Sequence, residues 1–309
     1  MMRIVFMGNP AFAIPTLKTI LTSTHELAAV VSNPPKPMGR GQQLRHTAVG
    51  SYAVEHDLSV IPVEDTKSDS FITKLKALNP DIFIVVAYKI LPDPVIKIPP
   101  YGAINLHASL LPRYRGAAPI QWALMNGEPV TGVSIFQIAS KVDTGAILKQ
   151  KEIPILADDN YLSLSTRLCE TGAGMIIDTL NELESGKSVA KIQDSSQASR
   201  APKISKKITV INWSWPAEKI HNWVRGLAPH PGMITIINSK QLRIYKTSIR
   251  ETSVKSRPGT VVFKSKNELQ VSTGDGALAL IEIQLEGKKR MAMELFLRGF
   301  PIEEGDVLG

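Results

Sequence analysis

The sequence predicts an α/β protein in two parts: a domain on a mostly parallel sheet, then a small β-barrel domain. Three observations predict it. Short apolar runs alternate with helical segments through the first half of the chain. One run, Asp81-Ile82-Phe83-Ile84-Val85-Val86-Ala87, is almost continuously apolar, as in strands covered on both faces. After Ile208 the pattern changes to short strands punctuated by Pro and Gly.

The elements follow in order. Arg3-Ile4-Val5-Phe6-Met7-Gly8 reads as a buried strand ending in a turn, Pro15 to Leu21 as a helix, and Leu27 to Ser32 as a second strand. Ser68 or Asp69 caps a helix running to Leu78. The apolar strand 81–87 follows, then Ala103 to His107, a helix from Ala118 to Met125 stopped by Asn126-Gly127, and a strand from Val133 to Ile138. A helix from Leu162 to Leu183 closes this domain. Ser185 to Lys207, rich in Ser, Lys and Gln, reads as an extended linker. Beyond it come a helix near Pro216 to Arg225 and five strands: 233–237, 242–245, 260–263, 269–272 and 277–285. That count fits an OB-like barrel, an architecture that often binds nucleic acid. The expected division is a domain over 1–188, a linker over 189–207 and a second domain over 208–309.

Composition narrows the function. The chain has 309 residues, 43% apolar and 21% charged, which suits two globular domains. No apolar run approaches the roughly 18 residues of a membrane span. The apolar start breaks at Asn9-Pro10 and reads as a strand rather than a secretory signal. One cysteine, Cys169, and scattered histidines predict neither a disulfide nor a metal site. A cytoplasmic monomer is the expectation. The charge is unevenly spread: residues 1–186 carry 16 Lys and Arg against 17 Asp and Glu, whereas 187–309 carry 20 against 11. The second part therefore suits a polyanion, a solubilising surface being the alternative.

The candidate chemistry lies at Asn105, His107 and Asp143. Asn105 and His107 stand two apart on one strand and so share a face, with Ile104 and Leu106 turned the other way. The strand runs into the loop Ser109-Leu110-Leu111-Pro112, and ligands of open α/β sheets bind at the carboxyl ends of the strands. Asp143, in Lys141-Val142-Asp143-Thr144-Gly145, is expected on a loop at that same end. Taken alone, Asn-x-His could be a satisfied polar pair and Asp-Thr-Gly a turn.

The longer run Asn105-Leu-His-Ala-Ser-Leu-Leu-Pro-Arg-Tyr-Arg-Gly-Ala-Ala-Pro-Ile-Gln121 resembles the signature of the folate-dependent formyltransferases. Further resemblance lies in Ile4 to Ala13, in Ala87-Tyr88 with Ile90-Leu91-Pro92, in Ile211-Asn212-Trp213, Val224-Arg225-Gly226-Leu227, Pro229-His230-Pro231-Gly232, and the closing Gly305-Asp306-Val307-Leu308. It covers essentially the whole chain. It implies a Rossmann-like formyltransferase domain and an OB-like carboxyl-terminal domain. It also implies formyl transfer from 10-formyltetrahydrofolate to an amine through a tetrahedral oxyanion. Asn105 would donate to the oxyanion, charged His107 would donate to it and offset its charge, and Asp143 would stabilise the imidazolium. Ser109, Leu110, Leu111 and Pro112 would line the folate site, largely through backbone.

The carboxyl-terminal segments resemble those of family members that formylate initiator methionyl-tRNA. Lys203, Lys206 and Arg225 would then contact tRNA, and Arg40, in Gly39-Arg40-Gly41, would enter its acceptor arm. Relatives acting on an amino-sugar nucleotide or a purine precursor share the catalytic residues, so the acceptor is read from the second domain. An inactive tRNA-binding protein is the alternative of another class. Two positions depart from the family pattern: Lys89 where Gly is common, and Ala146 where Asp or Pro is common.

Overall fold

A computed structural model describes residues 1–39 and 41–309; the expectation for Arg40 lies outside the described residues. In chain order the elements are β1 (Arg3–Gly8), α1 (Ile14–Leu21), β2 (Glu26–Ser32), β3 (Lys36–Met38), β4 (Gln43–Arg45), α2 (Ala48–Glu55), β5 (Val60–Pro62), α3 (Asp69–Ala77), β6 (Ile82–Val86), α4 (Asp93–Ile96), β7 (Ala103–His107), α5 (Pro119–Met125), β8 (Val130–Gln137), β9 (Ile147–Pro154), α6 (Tyr161–Glu184), α7 (Ala217–Leu227), β10 (Met233–Ile237), β11 (Lys240–Arg250), β12 (Val261–Lys264), β13 (Leu269–Ser272), β14 (Ala277–Leu285), β15 (Met291–Ala292) and α8 (Met293–Leu297). They form two compact units. One comprises Met1–Ala117, Val130–Pro154 and Ser165–Ala201; the other comprises Ala118–Pro129, Ile155–Leu164 and Pro202–Gly309. α5, read from sequence as part of the first domain, groups with the second unit and packs on α7, where Gly226 leaves room for Met125.

In the first unit a seven-stranded sheet runs β5-β2-β1-β6-β7-β8-β9. The five strands from β5 to β7 are parallel, and β8 and β9 are antiparallel. β6 is buried at every position. On one face Val5, Met7, Phe83 and Val85 pack with Phe71 and Leu75 of α3. Ser68 caps α3, its Oγ accepting from Phe71 N at 3.4 Å. On β7, Ile104 and Leu106 are buried, as their alternation requires, and Leu106 presses on Gly172 of α6. β3 and β4 pair antiparallel, Lys36 opposite Arg45 and Met38 opposite Gln43.

The second unit is an antiparallel sheet in the order β10-β11-β14-β13-β12, with β15 on β14. Register shifts between Ile244 and Thr247 mark bulges in β11, where strands bend. The chain end supplies the closure. Leu308 N donates to Gly259 O beside β12, and Gly309 N donates to Ile236 O on β10. The tail thereby bonds toward both edges of the sheet, which gives the barrel-like form. Leu242, Ile244, Val271, Leu278, Leu280 and Ile283 fill the interior with Ile220, Val224 and Leu227 of α7. No helix among the described residues is long and apolar enough to cross a membrane.

Candidate active site

The structure brings His107 and Asp143 together. His107 is 7% exposed at the end of β7. Its Nε2 lies 2.9 Å from the Tyr114 carbonyl, so this nitrogen carries the proton and donates. Nδ1 faces Asp143 Oδ2 at 3.9 Å, beyond hydrogen-bond length. A second proton on Nδ1 would therefore sit directly against a carboxylate. The Phe136 ring stands edge-on to the imidazole, 6.3 Å between centroids. Asn105, two residues back on the same face, is half-buried, and among the described residues nothing hydrogen-bonds its carboxamide. It remains available to a ligand.

Asp143 arrives from an unexpected direction. Because β8 is antiparallel to β7, Gln137 stands opposite Ile104, and Ile138 N donates to Ala103 O. The following loop leaves beside the start of β7, not at the carboxyl end that the sequence suggested. It returns to His107 through specific supports. Asp143 adopts φ 54°, and its Oδ2 accepts from Gly116 N at 2.8 Å. Gln193 Nε2 donates to Asp143 O at 3.0 Å and to Gly145 O at 2.8 Å. Gln193 Oε1 accepts from Arg115 Nε and Nη2 at 3.1 and 2.7 Å. Tyr114, whose carbonyl holds His107, has φ 60°, and its N–H donates to Ser199 Oγ at 2.9 Å. Backbone in this region costs about 1–3 kcal/mol per residue and persists only where neighbours hold it.

Gln193 and Ser199 lie in the segment that composition marks as a linker. It is instead a strap. Lys191 exchanges two backbone bonds with Ile147, at 2.7 and 2.8 Å, and Ala201 N donates to Arg115 O at 2.7 Å. A Cβ on Gly116 would stand 2.6 Å from Ala201 O, so the approach needs glycine. Sequence reasoning missed Gln193 because an isolated glutamine among Ser and Lys carries no local signal. Replacing Gln193 with Ala is expected to lower kcat about 10- to 100-fold, the cost of misplacing a reacting group by about 1 Å. Thermal unfolding beside steady-state kinetics checks this; unchanged kcat would rule out a positioning role.

The Ser109–Pro112 loop is braced from within. Ser109 is fully buried, and its Oγ donates to Arg113 O at 2.7 Å. Ser134 Oγ donates to Ser109 O at 2.6 Å and accepts from Leu111 N at 3.0 Å. Leu111 packs with Phe136 and Ile147. The Ser109 O–H is thus committed to holding the loop. At the departure from the family pattern, Lys89 Nζ donates to Val63 O and Glu64 O at 3.2 and 2.5 Å, tying the segment after β6 to that after β5. Burial pushes the neighbouring Tyr88 hydroxyl up to about 12.

Of the expected tRNA contacts, Lys203 and Lys206 are exposed. Arg225 is different. Its Nη1 reaches the carbonyls of Leu156, Ala157 and Asp159 at 3.1, 3.3 and 3.2 Å, and Nη2 reaches Asn222 Oδ1 at 2.6 Å. Burial lowers the guanidinium's pKa against the pull of Asp159 and Asp158. Arg225 clamps a loop of its own unit, which leaves little of it for a phosphate.

A mixed sheet thus presents Asn105 and His107 on one strand with Asp143 facing the imidazole, groups suited to stabilising an oxyanion and moving a proton, as acyl-group transfer requires. Residues 2–180 match the formyl transferase model and residues 203–301 match the formyl transferase C-terminal domain. The chain belongs to the formyl transferase family. Among curated relatives, methionyl-tRNA formyltransferase of Thermodesulfovibrio yellowstonii is 45% identical over 303 residues, covering 98% of this chain and 97% of that one. The Caldanaerobacter subterraneus protein of the same name is 42% identical over 309 residues, covering 99% and 100%. The fold also resembles WlaRD, a sugar 3N-formyl transferase (TM-score 0.68, 20% identity, covering 94% of this chain and 99% of that one). HypX from Aquifex aeolicus, solved with tetrahydrofolic acid, gives TM-score 0.64 at 17% identity, covering 100% of this chain and 50% of that one.

Proposed function

We propose that this chain transfers the formyl group of 10-formyltetrahydrofolate to the α-amino group of initiator methionyl-tRNA, giving formylmethionyl-tRNA for translation initiation. The observation that carries the reading is the His107–Asp143 pair beside Asn105, whose carboxamide has no partner among the described residues, in a chain collinear with relatives named for this reaction. The amine nitrogen bonds to the formyl carbon, the bond from that carbon to folate N10 breaks, and the amine proton ends on N10. Asn105 donates an N–H to the tetrahedral oxyanion, and His107 in its charged form offsets the oxyanion's charge. With Nε2 held by Tyr114, Nδ1 is the nitrogen that exchanges the proton, and Asp143 stabilises the imidazolium. Ser109, Leu110, Leu111 and Pro112 shape the folate site through backbone.

Residues 1–188 supply the catalytic domain and 208–309 the tRNA-binding domain; of the segment between them, 189–201 is strapped to the first and holds the Asp143 loop. Arg40, Lys203 and Lys206 contact tRNA, while Arg225 serves indirectly by fixing the 156–159 loop. The protein works as a cytoplasmic monomer without a metal. The test is a transfer assay with 10-formyltetrahydrofolate and methionyl-tRNA, read by mass spectrometry beside uncharged tRNA, free methionine and an amino-sugar nucleotide. Formylmethionine on tRNA alone is expected. Formyl on a small amine instead would overturn the acceptor.

A further inference from the structure

The second unit gathers three partly buried indoles on one side of its core: Trp122 of α5, Trp223 of α7, and Trp215 just before α7. Trp122 and Trp223 meet edge to face at 6.1 Å, and Trp223 and Trp215 lie 4.8 Å apart. Their outer ends touch basic segments. The Lys219 ammonium sits 4.2 Å from the Trp215 ring centroid. Trp122 Nε1 donates to Pro202 O at 2.7 Å, which pins the backbone next to Lys203. Lys206 and Lys207 follow within four residues, both exposed. Trp213 is separate, buried with its Nε1 on Thr235 Oγ1 at 3.0 Å.

We propose that this tryptophan cluster is a rigid base presenting Lys219, together with Lys203 next to the pinned Pro202, to the phosphate backbone of bound RNA. The proposal rests on the reading that the acceptor is a tRNA. A surface lysine ordinarily loses rotamer freedom when it binds. Lys219 is already held over an aromatic face, and an ammonium has three N–H donors, so a contact on one side leaves donors for a phosphate on the other. The one acidic neighbour along the helix, Glu218, is exposed and projects about 100° away. The unit's own excess of cations favours a polyanion, and phosphate contacts dominate affinity for nucleic acid. The Trp215 ring contacts both Lys219 and Trp223, and its role in the proposal is to position the ammonium, not to stack a base.

Binding of methionyl-tRNA to the full chain is measured from about 50 to about 300 mM salt. The proteins are wild type, Lys219→Met, Trp215→Leu and the double variant, with thermal unfolding and formyl transfer in parallel. Lys219→Met is expected to weaken binding about 3- to 10-fold at low salt and to reduce the slope of log affinity against log salt by about 1. Trp215→Leu should weaken binding in the wild-type background and add nothing in the Lys219→Met background, since it acts through the lysine. Lys219→Glu, which keeps the site polar, should weaken binding further than Lys219→Met and serves if Trp215→Leu fails to fold. Unchanged affinity and slope in Lys219→Met, with wild type still formylating methionyl-tRNA, would overturn this surface and leave the function standing. Wild type that neither binds nor formylates methionyl-tRNA would overturn both. A Lys219-dependent affinity for anionic vesicles, without one for tRNA, would reassign the surface and sink the proposal.

Discussion

Replacing His107 with alanine is expected to lower turnover about 100- to 10,000-fold, the range for losing a general acid–base or an oxyanion-stabilising group. The site offers little to replace it. The imidazole is nearly enclosed, and among the described residues Asp143 is the carboxylate that faces it. Truncation also removes the Nε2 bond to the Tyr114 carbonyl, so part of the effect is structural. Asp143→Asn separates the two. It keeps the side-chain volume and an oxygen that can accept from Gly116 N, and it removes only the charge facing Nδ1. A comparable loss of single-turnover rate is expected, with a melting temperature near that of wild type. Because the pair acts as a unit, combining both changes should cost little more than the worse single one. Near-normal turnover in Asp143→Asn would remove the carboxylate from the mechanism.

What the sequence disclosed and what it concealed divide along physical lines. β7 was legible to the residue, since its five positions alternate between packing and presentation. β6 was legible because strands buried on both faces leave continuous apolar runs. β9 was not: its centre, Lys149 to Glu152, is charged and largely exposed, as an edge strand permits. Strand direction was also hidden. A local pattern identifies β8 as a strand without saying which way it runs, and its antiparallel course moved the departure point of the Asp143 loop. Asn105, His107 and Asp143 could be nominated from residue type and spacing. Their supports could not, because Gln193 meets Asp143 across 50 positions and Ser199 meets Tyr114 across 85. Arg225 and Lys203 were grouped by the resemblance of their segments, and a solvent-facing lysine and a clamped arginine read alike in sequence.

Gly145 tests the placement of Asp143 without touching any ionisable group. The loop carrying Asp143 is closed at its neck by Gln137 N donating to Ala146 O at 2.9 Å. There a Cβ on Gly145 would stand 1.6 Å from Gln137 O. No rotamer can relieve that contact, because the Cβ is fixed by its own backbone and its partner is a backbone carbonyl. Gly145→Ala must either open the neck or shift the loop, and either movement pulls on the Gln193 bonds to Asp143 O and Gly145 O. The expected result is a fall in kcat of about 100-fold or more, as for a reacting group displaced by about 1 Å. Stability should fall by about 1–3 kcal/mol from overpacking. Gly174→Ala on α6 is the control. Its Cβ would meet nothing within 4 Å, and relief of a helical glycine should stabilise by up to about 1 kcal/mol. Parallel denaturant melts and single-turnover assays compare the two. If Gly145→Ala destabilises the protein yet turns over at the wild-type rate, the loop serves stability alone, and the His107–Asp143 geometry does not set the rate.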